Sequence, residues 1–123
     1  MPAALDLEYG GACGAPVDKV SMIANVQVWI DAVEAVTGKP VIIYTTRDFH
    51  KAFLDGVLSR QPFWLRSIGR PPRYKSRPDW RVWQWHHAAR LPGIKGPVDR
   101  NVFRGTKEEF QGFLDEVLRT ADN

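Results

Sequence analysis

The run Val41-Ile42-Ile43-Tyr44 confines this chain more than any other feature. Consecutive β-branched residues with no polar alternation make a strand that must be covered on both faces. Just before it, Val20, Ile23, Val26, Ile30 and Val33 recur at intervals of three and four, the pattern of one helix face. Gly38 and Pro40 then stop that helix. Further upstream, Ala3 to Glu8 reads as a short apolar strand ending in acids, followed by a Gly-rich loop from Gly10 to Pro16. The alternation continues downstream. Asp48 is placed to cap a second helix, with Phe49, Phe53 and Val57 on one side. Phe63-Trp64-Leu65 forms a third strand, and Pro71, Pro72 and Pro78 keep the loop from Ile68 to Asp79 irregular. Arg81-Val82-Trp83-Gln84-Trp85 alternates in the β manner, and Val98 to Asn101 ends another short segment. Thr106 and Glu109 make a capping box for a last helix carrying the stripe Phe110, Phe113, Leu114, Val117 and Leu118. The order β-α-β-α-β-loop-β-β-α predicts an α/β fold with a mainly parallel sheet.

Length limits what that sheet can be. The 123 residues make one domain, with no linker or internal repeat, whereas a whole (β/α) barrel takes about 250 residues. Five Trp, six Phe and three Tyr exclude disorder as the main state. No apolar run approaches the ~20 residues of a membrane span, so no membrane partner is expected. The start Met1-Pro2-Ala3-Ala4-Leu5-Asp6 has neither the basic region nor the apolar core of a signal peptide. Cys13 is the single cysteine, so no intrachain disulfide can form, and no His nearby in sequence would activate it.

The net charge of +3 is modest, but its distribution is uneven. Arg60, Arg66, Arg70, Arg73, Lys75, Arg77 and Arg81 face only Asp79 in the same stretch. Such a segment is either a solvated loop or a surface for anionic polymers. It matches no standard nucleic-acid motif, so nucleic acid is not expected as a partner.

Asp6 and Glu8 carry the clearest chemical signal. Two residues apart on a strand, they point to the same side, with Cα atoms about 6.5–7 Å apart. They end the strand, at the edge where parallel α/β folds assemble their sites. Three readings fit the pair: surface carboxylates, holders of a divalent cation, or an acid/base couple for glycoside hydrolysis. Tyr9, Tyr44, Trp64, Trp83 and Trp85 lie at or near strand ends, where aromatic faces suit sugar rings as well as a core. Asp99 is a candidate third acid. His86 and His87 are adjacent, so on a strand they face opposite ways, and they lack metal-ligand spacing with any Cys or third His.

Taken in order, the segments Ala4-Leu5-Asp6-Leu7-Glu8-Tyr9, Lys39 to Thr45, Phe63-Trp64-Leu65, Val82-Trp83-Gln84-Trp85 and Gly93 to Asn101 resemble the family 25 glycoside hydrolases. These are the Chalaropsis-type lysozymes, found among bacterial autolysins and phage endolysins. The resemblance covers nearly the whole chain. It implies a partial (β/α) TIM-like barrel, about the last five strands with flanking helices, with residues 1–123 a single, incomplete catalytic domain. It implies a muramidase that cuts β-1,4 bonds between N-acetylmuramic acid and N-acetylglucosamine in the peptidoglycan glycan strand, without metal or cofactor. By matching motif, Glu8 is the general acid/base, Asp6 orients the substrate's N-acetyl group, and Asp99 matches the acid at the end of the last strand. Tyr9, Tyr44, Trp64, Trp83, Gln84 and Asn101 would line the sugar groove. The substrate would lie outside the cytoplasm, reached by secretion or phage release. Asp6-Leu7-Glu8 matches the family's fourth strand, so three strands and one acid of the family pattern have no counterpart in this sequence. The family's Trp-x-Ala is here Trp64-Leu65-Arg66. An exposed first-strand edge would invite self-association. A second reading is an inactive fragment or a wall-binding module.

Overall fold

The computed structural model describes residues 1–10, 18–76 and 78–117. Cys13 and the rest of the Gly-rich stretch after Gly10, Arg77 of the basic segment, and Leu118 of the last stripe lie outside the described residues.

Five strands and three helices follow in the expected alternation: β1 (Ala4–Leu7), α1 (Lys19–Thr37), β2 (Ile42–Thr46), α2 (Arg47–Phe49), β3 (Phe63–Arg66), β4 (Trp80–Ala89), β5 (Val98–Phe103) and α3 (Lys107–Asp115). They form one sheet in sequential order. β1 through β4 run parallel, and β5 returns antiparallel to β4. The sheet is open, with β1 at one edge and β5 at the other.

Asp18 caps α1 by accepting from the Ser21 N–H at 2.8 Å. Gly38, at φ 63°, ends it in the left-handed conformation that glycine adopts without strain. Ile23, Val26, Ile30 and Val33 face the sheet, joining Val41, Ile43, Phe63 and Leu65 in one core. Val20 does not; it is 76% exposed. Steps of three fall short of a 3.6-residue turn, so repeated i+3 spacing carries the first member of the stripe off the buried line.

α2 departs from the expected second helix. Thr46, not Asp48, occupies the cap position, and Asp48 lies inside the first turn. There its carboxylate meets the positive end of the helix. After one turn the backbone widens into a π-helical turn over His50–Leu54, which still buries Phe49 and Leu54.

The capping box of α3 forms as the sequence indicates. Thr106 Oγ1 accepts from the Glu109 N–H at 3.1 Å, and Glu109 Oε2 accepts from the Thr106 N–H at 2.6 Å. Gly105 makes room for it: at φ 151°, an added Cβ would sit 2.7 Å from Glu109 Oε2. Phe113 is buried, whereas Phe110 is only half covered, edge-on to Phe103. We expect Thr106→Ala to cost about 1 kcal/mol, the usual value of such a cap. That is a fall of about 4 °C in the melting temperature of a chain this size, readable by circular dichroism.

Candidate active site

The parallel register assembles the site row by row. Asp6 of β1 lies opposite Tyr44 of β2, which lies opposite Trp64 of β3. The next row toward the strand ends contains Thr46, Arg66, Gln84 and Asn101. Side chains alternate along a strand, so the core residues Ile43, Phe63 and Leu65 point one way and these rows the other. Two hydrogen bonds tie the rows together. The Tyr44 hydroxyl donates to Gln84 Oε1 at 2.7 Å, and the Trp64 indole N–H donates to Asn101 Oδ1 at 2.8 Å. The Tyr44 and Trp64 rings meet edge to face, 5.5 Å apart. Gln84 is buried, while Asp6, Glu8, Asp99 and Asn101 are exposed.

Asp99 arrives from the other edge. It opens β5 rather than closing a strand, and because β5 runs antiparallel its beginning lies at the end of the sheet where β1 finishes. Three acids thus act on one phenol: burial first, then the charges of Glu8, Asp6 and Asp99, push the Tyr44 hydroxyl up to about 12. It therefore keeps its proton at neutral pH and remains a donor. Glu8 lies just past β1, and its pKa is raised by the partial desolvation of its largely exposed carboxyl and by the negative charge of Asp6, with Arg66 opposing. Partial desolvation also raises Asp6. One carboxyl inclined to keep its proton beside a second acid can donate a proton while its neighbour supplies negative charge.

Two expected groove residues stand apart from this row. The Trp83 indole donates to the Ser67 carbonyl at 2.7 Å and its ring packs edge-on to Trp80, on the face opposite Gln84. Tyr9 packs edge-on to Phe49 and Phe53 of the helical layer. Arg66 was not singled out for the site from sequence, although its position two residues after Trp64 on the same strand places it on this face. His86 and His87 do not point cleanly apart; their rings lie 6.2 Å from each other where the β4–β5 register shifts. Among the described residues, no group of three or more His, Cys, Asp or Glu side chains is placed to hold a metal ion.

Residues 1–94 match the model of the glycosyl hydrolases family 25. The chain belongs to this family. It is 39% identical, over 98% of its length, to the uncharacterized protein YegX of Escherichia coli O6:H1, of which it spans 43%. It is 30% identical, over 86% of its length, to Lysozyme M1 of Streptomyces globisporus, of which it spans 38%. A family 25 glycosyl hydrolase from Bacillus anthracis superposes with a TM-score of 0.82 at 26% identity, over 92% of this chain and 54% of that one. The chain therefore spans less than half the length of these curated relatives. What it shares with the solved relative is a five-stranded mixed sheet with flanking helices.

Proposed function

We propose that this chain carries the acid-bearing half of a peptidoglycan muramidase. The observation that carries the reading is the Asp6–Glu8 pair on an open aromatic face, with Tyr44 between it and Asp99. The substrate is a β-1,4-linked glycan of N-acetylmuramic acid and N-acetylglucosamine, outside the cytoplasm. Glu8 gives its proton to the glycosidic oxygen as the bond to the anomeric carbon breaks. The carbonyl oxygen of the substrate's own N-acetyl group forms the new bond to that carbon, held in line by the Asp6 carboxylate. Water then opens this intermediate, with Glu8, now ionised, taking its proton. Tyr44, Trp64, Gln84 and Asn101 line the groove, and Asp99 and Arg66 set the charge around it. Trp83 acts behind it, through packing, while Tyr9, largely exposed beside Glu8, rests one edge on Phe49 and Phe53.

A second proposal concerns the free edge. The flank of α1 lined by Gln27, Asp31 and Glu34 faces Leu58–Gln61 before β3, and Glu34 bonds both the Val41 N–H and the Gln61 amide. The opposite flank, carrying Met22, Trp29 and Val36 at seven-residue spacing, therefore lies beside the unpaired edge of β1. Val36 is 88% exposed and Trp29 38%, and no charged residue interrupts them on that side. Charge depletion around an aromatic centre is the composition of an interface core. The spacing is symmetric about Trp29, so a second copy running antiparallel would set Met22 against Val36. Light scattering on the isolated chain should give twice 14.0 kDa, and Trp29→Asp should return it to one copy. A monomeric parent protein would refute this self-association.

A further inference from the structure

A second site lies outside the acid face. Arg47 and Lys51, from α2 and the π-helical turn after it, and Arg73 and Lys75, from the loop after β3, line one cavity of about 390 Å³. Its remaining walls are His50 and Tyr74, both buried. The Arg47 guanidinium donates to the Arg73 carbonyl at 3.0 Å, which fixes the loop against α2. Tyr74 anchors that loop from below, donating to the Arg66 carbonyl at 2.8 Å. Lys75 pairs with Asp55 at 3.0 Å, but Arg47, Lys51 and Arg73 have no carboxylate partner among the described residues. Three unneutralised cations around one concavity repel each other until an anion enters.

We propose that this cavity binds phosphodiester groups of an anionic polyol-phosphate polymer. The cations come from two walls, helical turn and loop. A phosphodiester shares one negative charge between two non-bridging oxygens on a tetrahedral phosphorus, so donors can reach it from outside a single plane and from both walls, whereas a planar carboxylate takes its donors mostly in its own plane. Nucleic acid shares the phosphodiester, but a single strand gains its further affinity by stacking bases on exposed aromatic faces. The only rings lining the cavity, Tyr74 and His50, are buried and packed edge-on to each other. Arg47 follows β2 directly, and the loop with Arg73 follows β3, so the cavity lies at the same end of the parallel strands as Glu8. A polymer held there would keep the chain on an anionic cell wall. This site does not depend on how the acid face is read.

The test is titration of the chain with short poly(glycerol phosphate), alongside polyglutamate and single-stranded DNA of matched charge, followed by calorimetry. Binding of the polyol phosphate should weaken about 20–40-fold between roughly 50 and 200 mM salt if the three unneutralised cations release counterions. The double variant Lys51→Gln/Arg73→Gln should weaken it about tenfold or more at low salt. Neither side chain makes a hydrogen bond or ion pair among the described residues, and an unchanged circular dichroism melt would verify that the variant folds. Affinity unaltered in the folded variant would overturn the site. Equal or tighter binding of DNA or polyglutamate would overturn the ligand class. Neither result bears on glycan hydrolysis.

Discussion

Glu8→Gln is expected to slow glycan hydrolysis about 10²–10⁴-fold, the usual contribution of a positioned general acid. The measurement is made on this chain joined to the strands that precede the Asp-x-Glu strand in the family pattern, so that the groove is whole. Gln keeps the shape and hydrogen-bonding reach of Glu but has no proton to give to the leaving oxygen. The pH profile supplies a second reading of the same residue. Glu8 works as the acid only while protonated, so activity falls as pH rises through its pKa. Partial desolvation and Asp6 raise that pKa, which extends activity toward neutral pH. Removing the Asp6 charge in Asp6→Asn takes away one of those causes, so the alkaline limb should move to lower pH, beyond any loss of rate from the missing carboxylate. A limb that stays in place would separate Asp6 from Glu8 electrostatically.

The largest stability effect is expected at Phe63. It is 1% exposed in β3, in the centre of the sheet, and its ring meets His50 edge-on at 5.9 Å. Phe63→Ala removes that ring from a packed core and leaves a cavity, at a cost of about 3–5 kcal/mol. Domains of this size have roughly 5–15 kcal/mol in total. The variant should therefore lose much of its folded population's margin, seen as a large fall in the urea midpoint. Val36→Ala is the control: at 88% exposure it should change the isolated protomer's stability by less than about 0.5 kcal/mol, measured at concentrations where copies do not associate.

Much of the fold was legible because local signals and packing agree. The β-branched run at Val41–Ile43 is fully covered, the i+3/i+4 stripe of α1 faces the sheet, and the Thr106–Glu109 box starts α3. What escaped was tertiary. Nothing local announces the π-helical turn at His50–Leu54, which follows from fitting Phe49, His50 and Leu54 into one core. Asp48 is a good cap by type, yet the strand-to-helix junction falls two residues earlier, at Thr46. The site shows the same division. Period two put Asp6 and Glu8 on one side from sequence alone, but only the strand register brings Tyr44, Trp64 and Arg66 beside them. The antiparallel turn of β5 is likewise invisible in Val98–Asn101, and it decides that Asp99 joins the same end of the sheet. Trp83 and Gln84 show why an aromatic beside a polar residue is ambiguous: one of them must face the other layer, and here it is the indole, bonded to Ser67.

Whether the Asp6–Glu8 face cuts the wall glycan is read from the products that the completed chain releases from purified peptidoglycan, identified by mass spectrometry. Fragments ending in reducing N-acetylmuramic acid are expected, their release slowed about 10²–10⁴-fold by Glu8→Gln. Release of the same fragments at the parent's rate by Glu8→Gln, or no release by the folded parent, would contradict that role for the face.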